Sequence, residues 1–302
     1  MKSQKKYRLG IDLGGTKIEG VVLSGNNRIL TRKRTRTPSG SNQKQSYQAI
    51  ISALVQLTNQ LENETKSLTD IGIGTPGTIS SRTGLIKNSN TVCLNGKPLQ
   101  QDIEQALGRE IRIANDANCF TLSESRDGAG APYSTVFGII MGTGVGGGIV
   151  CNNKIQTGRM GIAGEWGHNP LVEDGPDCYC GRKGCIETLL SGPALSAAHV
   201  RNGGLAIQPQ AIIEQATQGD LIAMETIENF VAYFGRAVAS VINILDPDAI
   251  ILGGGLSNIE LLYDRGRKAI EPHIFSDDFT TPVLRNHHGD SSGVLGAACL
   301  WD

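Results

Sequence analysis

Two stretches of the chain share one pattern of apolar and polar positions. The first has a largely apolar run at Leu9–Leu13, glycines at Gly14-Gly15 and a second apolar run at Val21–Leu23. At an offset of 128 residues the pattern recurs, with the run Phe137–Met141 followed by a glycine turn at Gly142–Gly144. An apolar strand, a glycine turn and a second strand are typical of a β-hairpin. The sequence therefore predicts a hairpin at the start of each half of the chain.

Further elements follow from the apolar periodicity. In the first half we predict a strand near Arg28–Arg36, a helix over Gln43–Leu61, a strand at Ile71–Thr75, a helix near Leu99–Leu107, a strand at Ile111–Ala114 and a helix from about Ala117. In the second half we predict helices near Pro209–Thr217 and Asp220–Leu245, a strand at Ala249–Leu252, a helix from Ser257 onwards and a closing helix at Gly293–Trp301.

Two α/β halves that each open on a hairpin predict a two-lobed protein. We expect an N-terminal lobe over 1–117, completed by a C-terminal helix at 290–302, and a C-terminal lobe over 118–289. Because ligands usually bind between domains, a cleft between these lobes is the expected ligand site.

The composition is that of a globular protein whose charge attracts no polyanion. The 302 residues are 39% apolar and 19% charged, with a formal net charge of -1, so we expect no nucleic-acid partner. The basic cluster of Arg32, Lys33, Arg34 and Arg36 favours a solvated edge strand over a nucleic-acid patch. The apolar stretch Val136–Asn153 contains six glycines and is too short to span a membrane.

The start of the chain resembles the basic region of a signal peptide without its apolar segment. Asp12 falls where that segment would lie, so we expect a cytoplasmic protein. In that compartment the seven cysteines stay reduced and serve packing, metal binding or catalysis.

The first glycine turn carries the residues of a phosphate site. Glycines let backbone N–H groups approach phosphate oxygens, and a hydroxyl and a cation complete such a site. Asp12, which ends the apolar strand, is placed to hold Mg²⁺ through water. The alternative is an ordinary hairpin with an exposed lysine. The candidate residues for ATP and Mg²⁺ are Asp12, Gly14, Gly15, Thr16 and Lys17.

Two more glycine turns lie in the second half. Gly142-Thr143-Gly144 formally opens a dinucleotide-binding pattern, but a strand follows it where that pattern needs a helix. It is better interpreted as a second phosphate clamp. Gly254 and Gly255 follow the strand Ala249–Leu252 and suit a cradle for the adenosine or ribose of ATP.

Asn115-Asp116 ends a predicted strand just before a helix. Asp and Asn are common helix N-caps, which is one interpretation. The other is that Asp116 is a general base that accepts the proton of an attacking hydroxyl, while Asn115 orients the substrate. The two roles are compatible.

A histidine and three cysteines have the spacing of a zinc site. His168, Cys178, Cys180 and Cys185 offer four ligands for a closed, structural Zn²⁺. A disulfide would leave one of the three cysteines over and fits a reduced compartment poorly. Glu165 and Glu187 flank the cluster, and a rigid loop over 165–190 would hold both carboxylates for polyol hydroxyls.

Five motifs together resemble the ROK family (repressor, open reading frame, kinase). They occur in the order of that family and cover nearly the whole chain. They are Asp12–Lys17, Asn115–Asn118, Gly142–Gly144, Gly164–His168 and Cys178-x-Cys180-Gly-x-x-Gly-Cys185-x-Glu187.

The resemblance implies an actin-like, hexokinase-like α/β fold and a kinase that transfers the γ-phosphoryl group of ATP to a hexose 6-hydroxyl. Asp116 would be the general base. The implied sugar contacts are Asn90, Asn115, Glu165, His168 and Glu187. A homodimer is expected on the same grounds.

Several stretches resemble the fructokinase branch of that family, among them Thr75–Gly77, Asn88–Asn90, His168–Leu171 and His288–Gly293. Fructose is therefore the expected substrate, with mannose and glucose as further candidates. N-acetylglucosamine kinase and a non-catalytic sugar sensor are the alternatives. Two rivals fit less well. A DNA-binding regulator would need a domain before the hairpin, and an actin-like filament protein would need no sugar site.

Overall fold

The computed structural model describes residues 7–301. The first six residues, on which the signal-peptide comparison rests, and the last residue of the predicted closing segment lie outside that range. The chain divides into two compact units. Unit 1 comprises the described residues up to Ser123, Ile155–Ala163 and those from Asp290, and unit 2 comprises Glu124–Lys154 and Gly164–Gly289. The N-terminal lobe predicted from sequence ends at 117 rather than at 123, and the segment 155–163 of unit 1 falls in the predicted C-terminal lobe. The lobes remain a prediction about domains.

Residues 7–301 form twelve strands and nine α-helices. The strands are β1 (Tyr7–Leu13), β2 (Lys17–Leu23), β3 (Ile29–Arg36), β4 (Thr69–Thr75), β5 (Thr78–Ile79), β6 (Ile86–Lys87), β7 (Arg112–Asn115), β8 (Thr135–Met141), β9 (Val145–Cys151), β10 (Lys154–Ile155), β11 (Ala249–Gly253) and β12 (Val283–Arg285). The helices are α1 (Gln43–Thr65), α2 (Leu99–Leu107), α3 (Asp116–Asp127), α4 (Glu187–Leu190), α5 (Gly192–Arg201), α6 (Pro209–Thr217), α7 (Leu221–Leu245), α8 (Arg267–Ile270) and α9 (Ser292–Ala298).

Unit 1 is built on a five-stranded sheet in the order β3-β2-β1-β4-β7. Strands β1 and β2 form the first predicted hairpin, and β4 and β7 continue the sheet in parallel. Alternate residues of β1 pack on opposite faces. Leu9 and Ile11 lie in the core cluster that contains Leu54 and Leu61 of α1. On the other face, Gly10 lets α9 approach so closely that a Cβ there would lie 2.1 Å from a carbonyl oxygen of that helix.

Unit 2 repeats this plan with the sheet order β10-β9-β8-β11-β12. Strands β8 and β9 form the second predicted hairpin, and β11 lies parallel to β8. The core forms around α7, whose apolar face includes Phe230 and Phe234, both buried. Asp220 caps this helix by accepting a hydrogen bond from the backbone N–H of Ala223 at 2.8 Å.

The structure differs from the predicted elements mainly after residue 185. The helix predicted from Ser257 onwards is broken into a 3₁₀ turn at Gly255–Asn258, a π-turn at Leu262–Gly266 and the short α8. Helix α5 and strand β12 were not predicted. Among residues 7–301, no helix has both the length and the apolar character needed to cross a membrane.

Candidate functional site

The candidate phosphate turn of unit 1 is a tight hairpin with its backbone fixed from two sides. The N–H of Gly14 donates to the carbonyl of Lys17 at 2.9 Å. The Thr37 hydroxyl donates to the Gly14 carbonyl at 2.6 Å. Thr91 lies beside the turn, since its hydroxyl oxygen is 3.6 Å from where a Cβ on Gly15 would be. That buried oxygen has no hydrogen-bond partner within the described part of the chain, so it is available to a ligand.

The carboxylate of Asp12 has the properties of a cation ligand. It accepts no hydrogen bond from any residue between 7 and 301 and packs against Gly293, where a Cβ would lie 3.5 Å away. Burial first, and then the nearby charge of Glu19, raise the pKa of Asp12 to about 6, against a smaller opposing effect of Lys17. A hard, desolvated carboxylate oxygen with no protein donor fits Mg²⁺ or its bound water.

Asn115 and Asp116 lie at the junction of β7 and α3, as predicted. The backbone N–H of Ala117 lies 2.9 Å from the side-chain oxygens of both Asn115 and Asp116. The Asn115 amide nitrogen donates to the carbonyl of Gly77 at 3.1 Å. Asp116 is half-buried at the first residue of α3. The capping contact therefore exists, and it holds the Asp116 carboxylate at the helix N-terminus.

Asn90 is exposed in the segment that follows β6. Its neighbour Ser89 is held at both backbone groups by Asn95, whose side-chain oxygen accepts from the Ser89 N–H at 2.9 Å and whose nitrogen donates to the Ser89 carbonyl at 2.8 Å. Asn95 thus fixes the backbone that carries Asn90. Sequence reasoning did not assign Asn95 this role.

A cavity of about 630 Å³ in unit 2 brings two of the predicted glycine turns together. Gly142 and Thr143 line one side and Gly255 another. Gly254 has a φ of +78°, and a Cβ there would lie 2.4 Å from the Met141 carbonyl oxygen, so only glycine fits. The cavity has the size of a typical cofactor or ligand pocket. The lining residues that sequence analysis missed come mostly from α5 and α6 and their flanks: Gly192, Pro193, Ser196, Gln208, Pro209, Gln210, Ile213 and Leu256.

The predicted zinc ligands lie together in unit 2. Their four ligand atoms all fall within 4.8 Å of one another. Cys178 Sγ lies 3.5 Å from His168 Nδ1, and Cys180 Sγ lies 3.6 Å from Cys185 Sγ. Zn–S bonds of about 2.3 Å and a Zn–N bond of about 2.0 Å in a tetrahedron require separations of about 3.5–3.8 Å. The residues present therefore fit a Zn²⁺ ion.

The surroundings of the cluster favour a thiolate at one ligand. Burial opposes ionisation of Cys180, but hydrogen bonds from the backbone and side chain of Arg182 outweigh it and lower the pKa of Cys180 to about 6. Thiolates are the form that binds metal.

The outer nitrogen of His168 lies beside a residue that sequence analysis missed. His168 Nε2 is 2.9 Å from the hydroxyl of Tyr179. Tyr179 is 72% exposed. Partial desolvation first, and then the carboxylate of Glu187, with lesser effects of Cys178 and Glu165, raise the pKa of Tyr179 to about 12. Tyr179 is thus a neutral hydrogen-bonding group among the predicted sugar contacts of this loop.

The candidate residues form one set in each unit. Unit 1 holds Asp12, Gly14, Gly15, Thr16, Lys17, Asn90, Asn115 and Asp116. Unit 2 holds Gly142, Thr143, Gly144, Glu165, His168, Cys178, Cys180, Cys185, Glu187, Gly254 and Gly255. The roles assigned to them from sequence remain predictions.

Known proteins similar to this chain share its length. The chain is 37% identical over 305 residues to the N-acetyl-D-glucosamine kinase of Pasteurella multocida, covering 97% of this chain and 99% of the relative. A crystal structure of the ROK hexokinase from Thermus thermophilus superposes with a TM-score of 0.86 at 30% identity, covering 97% and 96% of the two chains. A ROK family glucokinase from Streptomyces griseus, in complex with glucose and AMPPNP, gives 0.79 at 30% identity, covering 97% and 98%.

These similarities confirm the predicted fold class and the interpretation of the chain as a sugar kinase. The assignment to the fructokinase branch is wrong, because further relatives at 34–37% identity also carry the name N-acetyl-D-glucosamine kinase. The short stretches that favoured fructokinase are too few to separate two neighbouring branches. The model of the ROK family matches residues 8–302, and the chain belongs to that family.

Proposed function

We propose that this protein is an N-acetylglucosamine kinase that transfers the γ-phosphoryl group of ATP to the sugar 6-hydroxyl. The observation that carries the proposal is the full-length identity of 37% to a kinase of that name. The clustering of His168 with the three cysteines and the position of Asp116 at the first residue of α3 support it.

Asp116 acts as the general base in this proposal. Its carboxylate lies at the N-terminus of α3 with its backbone neighbourhood fixed by the hydrogen bonds of Asn115. A fixed carboxylate accepts the proton of the 6-hydroxyl as that oxygen attacks the γ-phosphorus. Asn115, held against Gly77, keeps the junction in one conformation.

Nucleotide binding is divided between the glycine turns in this proposal. The cavity of unit 2 would take the adenosine. The N–H of Gly142 is already bonded to the Gly144 carbonyl within its turn, so the N–H groups of Thr143 and Gly144 would donate to the phosphates. The hairpin turn of unit 1 keeps its predicted role as a phosphate site. Lys17 adds a positive charge. Mg²⁺, held through Asp12, would offset the charge of the triphosphate during transfer.

The loop that contains the cysteines presents the sugar contacts. A zinc ion held by His168 and the three cysteines would fix the backbone between residues 165 and 187. In this proposal Glu165, the outer nitrogen of His168 and Glu187 contact sugar hydroxyls, with Tyr179 beside them. The ion has no step in the reaction, because all four of its coordination positions belong to the protein.

Replacement of the base tests this mechanism. Asp116→Asn keeps the capping oxygen but cannot take a proton at neutral pH, so turnover should fall about 10²–10⁴-fold while N-acetylglucosamine still binds. Turnover is measured by ADP release and sugar binding by calorimetry. The control is Asp277→Asn, which removes an exposed carboxylate in unit 2. Turnover of Asp116→Asn close to that of the control would remove Asp116 from this role.

A homodimer remains a prediction for this chain. Equilibrium sedimentation across a range of protein concentrations tests it directly.

A further inference from the structure

Glu19 is a buried carboxylate that the proposed mechanism does not use. Its side chain is 1% exposed, although it lies on β2 next to the edge strand of the sheet. It is directly opposite Asp12 in the register of β1 and β2. Directly paired residues of antiparallel strands point to the same face, with Cβ atoms about 4.5–5.5 Å apart. Glu19 and Asp12 therefore lie side by side on one face of the sheet.

Two arginines of the edge strand form ion pairs with the Glu19 carboxylate, although neither of its oxygens accepts a hydrogen bond within residues 7–301. Arg34, its register partner on β3, places Nε 2.9 Å from Glu19 Oε2, and Arg32 places Nε 3.4 Å from Oε1. Both arginines belong to the basic cluster that the sequence favoured as a solvated face. They are only partly exposed, at 48% and 35%. These two arginines of the cluster therefore face a buried acid that lies beside Asp12.

Other charges around Glu19 and Asp12 are few. Lys17 lies next to the turn on β2 and lowers the pKa of Asp12, and the charge of Asp290, just before α9, acts on Arg34. The charge of Glu19 reaches Asp12, since it is the second cause, after burial, of the raised pKa of Asp12.

We infer that Glu19 is a positioning residue that strengthens cation binding at Asp12, and that Arg32 and Arg34 moderate its charge. The inference rests on the proposed role of Asp12 in holding the nucleotide-bound metal. A second negative charge one strand away lowers the energy of a divalent cation at Asp12 and raises that of a metal-free phosphate chain. The arginines hold the carboxylate in place and limit the repulsion of phosphate.

An edge-strand ion pair with a purely structural role predicts something different. Removing either partner would then destabilise unit 1 and weaken all ligands in parallel. The electrostatic role predicts effects of opposite sign for metal and for metal-free nucleotide. It also predicts that removing the charge of Glu19 and removing the charge of Arg34 have opposite effects. These signs separate the two explanations.

The experiment measures Mn²⁺ affinity by electron paramagnetic resonance with AMPPNP bound, and the affinity for metal-free AMPPNP by calorimetry, both without sugar. In Glu19→Gln the Kd for Mn²⁺ should rise on the order of tenfold, as expected for one charge at this separation in a partly desolvated site. The Kd for metal-free AMPPNP should fall. In Arg34→Gln the Kd for Mn²⁺ should fall and the Kd for metal-free AMPPNP should rise.

The matched control is Glu64→Gln. Glu64 pairs with Lys33 of the same edge strand at 2.6 Å, but Lys33 alternates with Arg32 and Arg34 and points to the other face of the sheet. Both affinities should stay at the wild-type values. If Glu19→Gln leaves Mn²⁺ affinity unchanged, or weakens metal and nucleotide together, the inference is wrong.

Arg34→Gln and Asp12→Asn keep the test decisive. If Glu19→Gln does not fold, Arg34→Gln alone carries the sign test, because it leaves the acid in place. Asp12→Asn should lose Mn²⁺ affinity more strongly than Glu19→Gln. If Asp12→Asn instead binds Mn²⁺ as tightly as the wild type, Asp12 does not hold the metal and that part of the proposed function is wrong. Because no sugar is present, an error in the substrate assignment leaves these results unaffected.

Discussion

The carboxylate of Glu187 accepts a hydrogen bond from the backbone N–H of Val145, with 2.9 Å between Glu187 Oε2 and the nitrogen. Glu187 begins α4, two residues after the metal-cluster Cys185, and Val145 begins β9. This hydrogen bond connects the cysteine loop to the turn Gly142–Gly144. A carboxylate predicted from sequence to contact only sugar also fixes the candidate phosphate turn.

Gly144→Ala tests that connection. A Cβ on Gly144 would lie 2.6 Å from Glu187 Oε2, so the carboxylate must move and the Val145 N–H loses its partner. We expect the free energy of unfolding to fall by about 1–2 kcal/mol in urea titrations. The control is Gly142→Ala, where no atom lies within 4 Å of the added Cβ. Equal stability of the two variants would show that the hydrogen bond contributes nothing measurable.

The cysteine cluster predicts a tightly held zinc. We expect about one zinc per chain by mass spectrometry after dialysis, and none in Cys180→Ser. The variant should also melt several degrees lower, because binding energy at a structural site is folding energy. Cys151→Ser, on β9 and outside the cluster, should keep both the metal and the melting temperature. A wild-type protein that is metal-free, folded and fully active would contradict the zinc site.

Ionisation of Asp12 is expected to lower the free energy of unfolding of the ligand-free protein as pH rises. Its folded-state pKa is about 6 and its ordinary value is 3.8, so the folded state binds the proton more tightly than the unfolded state. The contribution of Asp12 to stability is therefore lost as pH rises from about 4 to above 6. Asp12→Asn should match the wild type near pH 4 and exceed it by up to about 3 kcal/mol at pH 7.5.

Urea titrations of metal-free protein at both pH values measure this difference. Asp277→Asn, an exposed carboxylate, is the control and should track the wild type at each pH. A constant difference between Asp12→Asn and the wild type across the range would contradict the account of Asp12.

The sequence predicted the elements whose patterns are local. Helices α2 and α6 have the predicted bounds, because each shows a clear amphipathic period and a sharp end: Gly108 takes a left-handed φ of +68° after α2, and Pro209 begins α6. The hairpins were equally visible, since each joins two apolar strands through a glycine turn. Local signals of this kind need no tertiary information.

Elements that depend on distant partners were missed. Strand β12 has only three residues and exists through its parallel pairing with β11. Helix α5 begins at Gly192-Pro193, a dipeptide that is typical of a turn, yet Ser191 caps it by accepting from the Ala194 N–H at 3.3 Å. No glycine or proline between residues 257 and 265 marks the break after Ser257.

The same distinction between local and distant residues applies to the candidate site. Residues close in sequence, such as the three cysteines and Asn115-Asp116, could be grouped from their spacing, and the structure places each group together. The cavity of unit 2 joins Gly142 to Pro209 and Leu256, which no spacing rule connects. The pairing of Glu19 with Arg34 requires the strand register. The substrate branch was predicted wrongly from short motifs and corrected by full-length similarity.

ADP release with MgATP across N-acetylglucosamine, fructose, glucose and mannose tests the central claim most directly. We predict that kcat/KM is highest for N-acetylglucosamine. A site that hydrogen-bonds the acetamido group leaves buried polar groups unpaired with sugars that lack it. Fructose should be turned over poorly or not at all. A kcat/KM for fructose equal to or above that for N-acetylglucosamine would contradict the assignment.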